Sequence, residues 1–296
     1  MSITIRPLHP TIGAEALGVD LREPMTRDEV AAIEAGMDKH AVLAFRDQQI
    51  TDEQQTAFTL NFGELESTVG GHVTKQKDKR LSPHFADVSN LGKDNKPLKR
   101  DDRARMFNLG NRLWHSDSSF RAVPAKYSLL SGRVIPPPGT GGNTEFADMR
   151  AAYDALDDAT KAEIAELVCE HSLMYSRGLL GFTELTDEER AIFRPVRQRL
   201  VRVHPVTGRK SLFLASHAGT IVGWPVPEAR SFLRDLTEHA TQREFVYAHE
   251  WRQGDLVMWD NRQTMHRVRR FDDLKYVRDV RRTTVAGDAM TVAQVA

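Results

Sequence analysis

The pattern His-x-Asp occurs in the stretch Asn111-Arg-Leu-Trp-His115-Ser-Asp117-Ser-Ser-Phe120. Side chains two residues apart on an extended strand point to the same face, so the imidazole of His115 and the carboxylate of Asp117 would converge on one point. This pair suits a metal ion that accepts mixed nitrogen and oxygen ligands. The alternative is a structural hydrogen-bonded pair, and residues elsewhere in the chain decide between the two.

A second histidine is needed to complete a facial triad, in which two histidines and one carboxylate bind one face of an ion and leave the other face open. The best candidate is His266, which ends the stretch Leu256-Val-Met-Trp-Asp-Asn-Arg-Gln-Thr-Met-His266. Taken alone, His266 could be a hydrogen-bonded core histidine. The three residues together predict a site of the kind found in non-haem Fe(II) oxygenases.

The composition excludes several classes of protein. Of the 296 residues, 40% are hydrophobic and 28% are charged, which is typical of a globular protein. The 41 basic and 41 acidic residues cancel, so no net charge attracts nucleic acid or a membrane surface. Cys169 is the single cysteine, which excludes an intrachain disulfide framework and a multi-cysteine zinc site.

The N-terminal stretch has no basic region followed by an apolar one, so the sequence predicts no signal peptide. No apolar run approaches the roughly 18 to 20 residues that a membrane span needs. A lone cysteine fits a reducing compartment. We therefore expect a soluble, cytoplasmic protein.

The order of predicted elements favours a β-rich fold. Capping boxes at Thr26 and Thr51 predict two early helices, and an amphipathic helix is expected over residues 225–240. Strands are predicted over residues 3–7, 41–45, the His-x-Asp segment, 126–134, 143–148, 200–204, 210–215, 245–251, 255–259 and 278–285. There is no regular alternation of strand and helix, so many short strands with Gly and Pro turns favour a sandwich or jelly roll. We expect one domain over residues 1–296.

Residues 67–105 differ from the rest, because they carry many lysines and arginines and few apolar anchors. Long segments without secondary structure in compact domains are often lids or disordered. One interpretation is a mobile, solvated basic loop. The other is a lid that closes over an anionic substrate, with Lys75 as a candidate contact.

Several motifs, taken in order, resemble one family. They are Trp114-His-Ser-Asp117, Gly141-Gly-Asn-Thr144-Glu-Phe-Ala-Asp148, Trp259-Asp-Asn-Arg262 followed by His266, and Arg278 with Arg282. The set resembles the taurine dioxygenase family of Fe(II)/2-oxoglutarate dioxygenases, from about Pro7 to about Gly287. The stretches Glu238-His-Ala-Thr-Gln-Arg-Glu-Phe-Val-Tyr247 and Asp255-Leu-Val-Met-Trp-Asp-Asn-Arg262 are most similar to its 2,4-dichlorophenoxyacetate dioxygenase branch. The resemblance implies a double-stranded β-helix, that is, a jelly roll with flanking helices.

The resemblance also implies which residues bind the metal and the cosubstrate. His115, Asp117 and His266 would be the iron ligands. Arg278 would pair with the distal carboxylate of 2-oxoglutarate, because a planar guanidinium binds carboxylates bidentately and stays charged. Thr144 would hydrogen-bond the same carboxylate, and its alternative role is that of a hydroxyl on the face of a strand.

Five further residues are candidates for contact with the substrate. Arg282 would reach the substrate acid or the cosubstrate, so the sequence leaves open which of Arg278 and Arg282 binds which. Asn111 matches a position that lines the substrate pocket in relatives. His204, His217 and Lys75 are the remaining candidates, with core packing as the alternative for the two histidines.

The implied activity is hydroxylation of the ether-side carbon of an aryloxyacetate, with O2 and 2-oxoglutarate consumed. The product would break down to a phenol and glyoxylate, alongside succinate and CO2. A taurine-type or alkylsulfonate dioxygenase that releases sulfite is the alternative enzyme. A non-catalytic sensor that binds a metal and an oxo acid is the alternative of another class. The family also suggests a homo-oligomer.

Overall fold

The computed structural model describes residues 3–68 and 71–294, and among them the strands form four sheets. The strands are β1 (Thr4–Pro7), β2 (Ala14–Leu17), β3 (Val42–Phe45), β4 (Ala86–Asp87), β5 (Tyr127–Val134), β6 (Thr144–Asp148), β7 (Val168–His171), β8 (Val196–Arg199), β9 (Val201–Val203), β10 (Lys210–Leu212), β11 (Ala218–Ile221), β12 (Val246–His249), β13 (Leu256–Asp260), β14 (Thr264–Val268) and β15 (Asp279–Thr284).

The helices are α1 (Arg27–His40), α2 (Asp52–Leu60), α3 (Arg103–Asn108), α4 (Met149–Asp154), α5 (Asp158–Ile164), α6 (Leu173–Gly178), α7 (Asp187–Ile192) and α8 (Val226–Ala240). The predicted capping boxes are present at Thr26 and Thr51, whose side chains accept from the backbone N–H three residues on. None of the described helices combines the length and the apolar composition that crossing a membrane requires.

The major sheet has the strand order β1-β2-β3-β13-β5-β15-β4. Its neighbouring strands are antiparallel, except for β2 and β3. Alternate residues of β3 point to opposite faces, as the pleat requires. Leu43 and Phe45 pack with Ile33 of α1, whereas Val42 packs with Phe146 of β6. The central strands are therefore apolar on both faces, which explains their continuous hydrophobic sequences.

The minor sheet, in the order β12-β6-β14, covers the second face of the major sheet. Phe146 and Tyr247 from the minor sheet meet Trp259 and Val257 from the major sheet in one buried cluster. Two antiparallel sheets that pack face to face in this way form a jelly roll, so the predicted fold class is confirmed. On its other side the minor sheet packs on α4 and α8.

The structure adds to or corrects the predicted elements at three places. The strand β14, which carries His266, was not predicted, because no Gly or Pro marks the turn between it and β13. The predicted strands over residues 245–251 and 255–259 are both present, but they lie in different sheets, β12 in the minor sheet and β13 in the major sheet. The His-x-Asp segment is not a regular strand: His115 forms an isolated bridge with His266, and Asp117 begins a turn.

The described residues of the basic segment over residues 67–105 include regular structure. It contains a 3-10 helix (Gln76–Asp78), β4 and the first residues of α3. Phe85 is buried and supplies an apolar anchor. The segment also contains the sequence Gly70-Gly71, of which Gly70 lies outside the described residues.

Candidate metal centre

His115, Asp117 and His266 come together at the edge of the minor sheet that β14 forms. Each offers one ligand atom, and these atoms all lie within 4.8 Å of one another. The Nε2 atoms of His115 and His266 lie 3.9 and 3.8 Å from the two carboxylate oxygens of Asp117. All three side chains are buried. The spacing would let one small ion contact two imidazole nitrogens and one carboxylate oxygen.

Backbone pairing brings the two histidines together. The N–H of His115 donates to the carbonyl of His266 at 3.0 Å, and the reverse bond measures 2.8 Å. Their rings consequently lie 4.2 Å apart between centroids. The residues are distant in sequence, so this isolated bridge, rather than a continuous strand, fixes the geometry of the site.

Asp117 is held by polar groups of the major sheet. Its N–H donates to Oδ1 of Asn261 at 3.1 Å, and the hydroxyl of Ser128 donates to its Oδ2 at 2.7 Å. Asn261 also donates to the oxygen of Ser128, which closes a small network. Ser118 follows with a φ of 55°, a left-handed conformation that turns the chain away immediately after the carboxylate.

The hydrogen bonds determine which nitrogen of His115 can bind an ion. Its Nδ1 lies 2.8 Å from the carbonyl of Leu113, which can only accept. Nδ1 therefore carries the proton, and the lone pair of Nε2 is left free. Nδ1 of His266 is buried and has no hydrogen-bond partner in the described residues.

The protonation states suit a metal centre. Burial lowers the pKa of His115, and burial with the nearby His115 ring lowers the pKa of His266 well below its usual range, so both are neutral at pH 7. Burial raises the pKa of Asp117, but Arg282 and the two imidazoles together lower it by more than burial raises it. The net shift of this pKa is therefore downward. Two neutral imidazoles and one carboxylate are a donor set that fits Fe(II).

Arg282 lies beside the triad, on the wall of the cavity. Its guanidinium forms an ion pair with Oδ1 of Asp117. The charge of Arg282 is thus already balanced by a carboxylate. Its predicted role in binding the substrate acid or the cosubstrate stays a prediction.

Arg278 lies at a second buried position, beyond the triad. Its guanidinium packs over the ring of Trp251 at 5.7 Å, and its Nε has no hydrogen-bond partner in the described residues. Burial lowers the pKa of Arg278 to about 10. Nε1 of Trp251 donates to the hydroxyl of Thr144 at 2.9 Å, which brings the two predicted cosubstrate residues to one aromatic ring. An unpaired buried cation beside a hydroxyl fits an incoming carboxylate.

A cavity of about 580 Å³ opens beside the triad and is within the usual size range for small-molecule sites. Of the residues predicted to contact substrate, the structure brings Asn111, His217 and Arg282 to its wall. His204 is instead buried against Asp260 at 3.2 Å, and Lys75 is exposed and outside the wall. The structure does not bring these last two residues into the site.

Sequence reasoning missed other residues of this wall, notably His72 and Arg177. It also missed Ser128, which holds Asp117 from strand β5. An arginine or serine that belongs to no spaced motif cannot be distinguished from the many other arginines and serines of the sequence. Only the tertiary structure brings these residues to the triad.

A family model described as "Taurine catabolism dioxygenase TauD, TfdA family" matches residues 4–284. The chain belongs to the taurine dioxygenase family. Members of this family use Fe(II), 2-oxoglutarate and O2, and the buried triad fits that use. The predicted enzyme class, a 2-oxoglutarate-dependent non-haem iron dioxygenase, is confirmed.

Several members of the family are similar over nearly their whole length. The alpha-ketoglutarate-dependent 2,4-dichlorophenoxyacetate dioxygenase of Cupriavidus pinatubonensis is 48% identical over 292 residues, covering 98% of this chain and all of the relative. The (S)-phenoxypropionate/alpha-ketoglutarate-dioxygenase of Delftia acidovorans is 37% identical over 287 residues, covering 92% and 91%. The crystal structure of AAD-2 in complex with Mn(II) and N-oxalylglycine matches with a TM-score of 0.96 and 66% identity, covering 99% of this chain and 100% of that one.

Proposed function

We propose that this chain hydroxylates the ether-side carbon of an aryloxyacetate resembling 2,4-dichlorophenoxyacetate. The hydroxylated carbon bears both the hydroxyl and the aryloxy group, so it loses the phenol and leaves glyoxylate. One O2 and one 2-oxoglutarate are consumed, and succinate and CO2 are released. The names and the high identities of the two aryloxy acid dioxygenases compared above support this choice of substrate.

The observation that carries the proposal is the character of the cavity wall beside the triad. It combines apolar and aromatic side chains with several cations, which suits a ring that bears an anionic group. The apolar members of the wall include Val73, Phe85, Leu98, Phe107, Phe120 and Leu173. A sulfonate such as taurine has no aryl group to bury there, so the taurine-type alternative is less well supported.

We assign the iron to His115, Asp117 and His266. When bound, Fe(II) with 2-oxoglutarate and O2 supplies the oxidant that hydroxylates a C–H bond. The carbonyl of Leu113 keeps Nε2 of His115 unprotonated, and Ser128 orients the carboxylate of Asp117. These contacts would hold the ligand atoms in place before the ion arrives.

We assign the distal carboxylate of 2-oxoglutarate to Arg278 and Thr144. Arg278 has no carboxylate partner in the described residues, and the indole of Trp251 contacts both side chains. The N–H of Trp251 occupies one lone pair of the Thr144 hydroxyl, which leaves its own proton available to a carboxylate oxygen. Burial strengthens this pairing because little water competes for the charge.

The experiment begins with anaerobic reconstitution with Fe(II) and 2-oxoglutarate, followed by O2 and a panel of acids. We expect succinate formation coupled to phenol release from 2,4-dichlorophenoxyacetate, and neither product from His115→Ala. Coupling to sulfite release from an alkylsulfonate would transfer the protein to the taurine-type alternative. Succinate from none of the acids would contradict the proposed activity.

Two further predictions remain proposals about the whole protein. We propose that it is a homo-oligomer and that it acts in the cytoplasm. Sedimentation velocity over a range of protein concentrations tests the first. Fractionation of the native host cells, with detection by antibody, tests the second.

A further inference from the structure

We infer that Asn90 positions Arg278 for the distal carboxylate of 2-oxoglutarate, an inference that rests on the assignment of that carboxylate under the proposed function. Asn90 is buried and belongs to the basic segment over residues 67–105, so that 188 residues separate it from Arg278 in the sequence. The role is that of a positioning residue, which acts through Arg278.

The side chain of Arg278 has few contacts that fix its position. It forms no hydrogen bond within the described residues, and its Nε is buried without a partner. The ring of Trp251 lies 5.7 Å from its Cζ and restricts the tilt of the guanidinium. An aromatic face does not determine where a cation lies along it. The location of the guanidinium therefore depends on how the backbone of Arg278 is held.

Asn90 binds both backbone polar groups of Arg278. The N–H of Arg278 donates to Oδ1 of Asn90 at 2.9 Å, and the N–H of Asn90 donates to the carbonyl of Arg278 at 3.2 Å. Strand β15 begins one residue later, at Asp279, so its ladder does not supply these two bonds. One residue of the basic segment thus holds the backbone on both sides of the Arg278 side chain.

The amide of Asn90 also holds the loop that leads to Arg278. Its Nδ2 donates to the carbonyl of Asp273 at 2.7 Å and to the carbonyl of Tyr276 at 2.8 Å. A carbonyl can only accept and a backbone N–H can only donate, so these partners fix the orientation of the amide. A carboxylate at position 90 would face two carbonyls without a proton to offer. The site therefore requires an amide.

The segment around Asn90 is itself attached to β15. The N–H of Val88 donates to the carbonyl of Val280 at 3.2 Å, and the N–H of Leu98 donates to the carbonyl of Asn90 at 2.9 Å. Val88 and Leu98 also line the cavity beside the triad. The same segment therefore forms part of the cavity wall and holds the residue that is proposed to bind the cosubstrate.

The test compares two ligands of the Mn(II)-loaded protein by calorimetry, without turnover. N-methyloxamate has the metal-binding end of N-oxalylglycine but lacks its distal carboxylate. We expect wild type to prefer N-oxalylglycine. Asn90→Ala should bind N-oxalylglycine about tenfold more weakly, because Arg278 loses its fixed position, whereas binding of N-methyloxamate should change little. A general loss of structure would weaken the binding of both ligands.

The matched control is Gln55→Ala. Gln55 is another buried amide, and its Nε2 donates to the carbonyls of Leu129 and Arg281 at 3.2 and 3.0 Å. It therefore ties helix α2 to the major sheet with the same kind of bonds, but it does not hold Arg278. Gln55→Ala should keep the wild-type preference for N-oxalylglycine. Arg278→Gln is the positive control and should lose that preference.

A measurement on wild type decides the question if Asn90→Ala does not fold, as judged by circular dichroism. Binding of N-oxalylglycine to the Mn(II)-loaded protein should slow amide hydrogen exchange in residues 86–98 and in residues 271–278 together, because Asn90 joins the two segments. N-methyloxamate should slow exchange in neither of them. Slower exchange in residues 271–278 alone would overturn the inference.

Two results of the binding test would overturn the role of Asn90 and leave the assignment of Arg278 intact. The first is a wild-type preference for N-oxalylglycine in Asn90→Ala while Arg278→Gln loses it. The second is an equal loss of preference in Asn90→Ala and Gln55→Ala. If wild type shows no preference, or if Arg278→Gln keeps it, the assignment of the distal carboxylate under the proposed function fails, and the inference fails with it.

Discussion

At the scale of single residues, two serines of strand β5 test how the metal site is supported. Ser128 donates to Asp117, whereas the hydroxyl of Ser131, buried on the same strand, has no hydrogen-bond partner in the described residues. We expect Ser128→Ala to weaken Mn(II) binding about tenfold, because groups that orient metal ligands contribute about that much. Ser131→Ala is the matched control and should leave Mn(II) affinity unchanged. Equal affinities in both variants would show that Asp117 needs no support from Ser128.

His171 provides a pH-dependent prediction outside the site. Burial lowers its pKa from 6.5 to about 3, and neither ring nitrogen has a hydrogen-bond partner in the described residues. Between pH 6.5 and 3 the unfolded state therefore binds the extra proton, so this contribution to stability is complete above pH 6.5 and falls as the pH falls.

A Phe at position 171 can keep the stacking on Phe213. Because Phe does not titrate, His171→Phe should abolish this difference in bound protons between the unfolded and folded states. As the pH falls, the free energy of unfolding decreases in both proteins. We expect wild type to lose about 1.4 kcal/mol more per pH unit than His171→Phe. Urea unfolding between pH 6 and pH 4 measures the two slopes. Parallel slopes would mean that His171 can take up a proton while folded.

The residues of the triad were predictable because few side chains can bind an iron ion, and a spacing of two residues is easily seen. The contacts that complete the site were not predictable in this way. Arg177 is one of 41 basic residues, and only the structure places it on the cavity wall. His204 and Lys75 were predicted to contact substrate because of their side-chain chemistry, but neither reaches the cavity wall.

At the scale of elements, the connection from β5 to β6 tests how the cosubstrate residues are positioned. Gly139 and Gly141 both have positive φ values, 78° and 92°. A Cβ on Gly139 would meet nothing within 4 Å, but one on Gly141 would lie 2.2 Å from the carbonyl oxygen of Arg270. That carbonyl precedes Phe271, which bridges to Gly141 at the start of the loop toward Arg278.

We expect Gly141→Ala to destabilise the protein by about 1–3 kcal/mol more than Gly139→Ala, because the clash with the backbone adds to the conformational strain common to both. It should also weaken N-oxalylglycine binding, since the loop that leads to Arg278 has to shift. Urea unfolding and calorimetric titration of the two variants give the comparison. If both variants behave alike, the loop tolerates the added methyl group.

Element prediction succeeded where the local signal was strong and failed where the chain changed sheets. Thr26 and Thr51 marked their helices because a capping box is a local arrangement. The strands over residues 245–251 and 255–259 were also predicted, but the residues between them do not reveal whether the chain doubles back or crosses to another sheet. Strand β14 was missed because no Gly or Pro marks the short connection that carries the chain from β13 to the minor sheet.

At the scale of the whole molecule, Arg80 connects the basic segment to the major sheet. Its guanidinium binds Asp87 at 2.8 Å and Asp279 of β15 at 2.6 Å, and its side chain is only 7% exposed. We expect Arg80→Gln to destabilise the protein by about 3 kcal/mol, because it leaves Asp87 without a cation among the described residues and leaves Asp279 with Arg281 alone. It should also speed hydrogen exchange within residues 71–105, which belong to the basic segment for which a lid is one of the two interpretations.

The control for this prediction is Arg209→Gln, which removes an exposed ion pair with Asp154. An exposed pair contributes between zero and 1 kcal/mol, so this variant should unfold and exchange almost as wild type does. Similar effects of the two substitutions would mean that Arg80 does not hold the segment in place.

The pairing of β3 and β5 with β13 has a consequence for how the protein is made. Both early strands flank a strand that begins at residue 256, and His266 follows it. A ribosome translates from the N-terminus, so β3 and β5 emerge long before the strand that must lie between them. The nascent polypeptide therefore exposes apolar strand edges until residues 256–260 have emerged, and iron can be captured by all three ligands only after residue 266 has been translated. Cells that produce this enzyme in quantity would depend on chaperones during that interval.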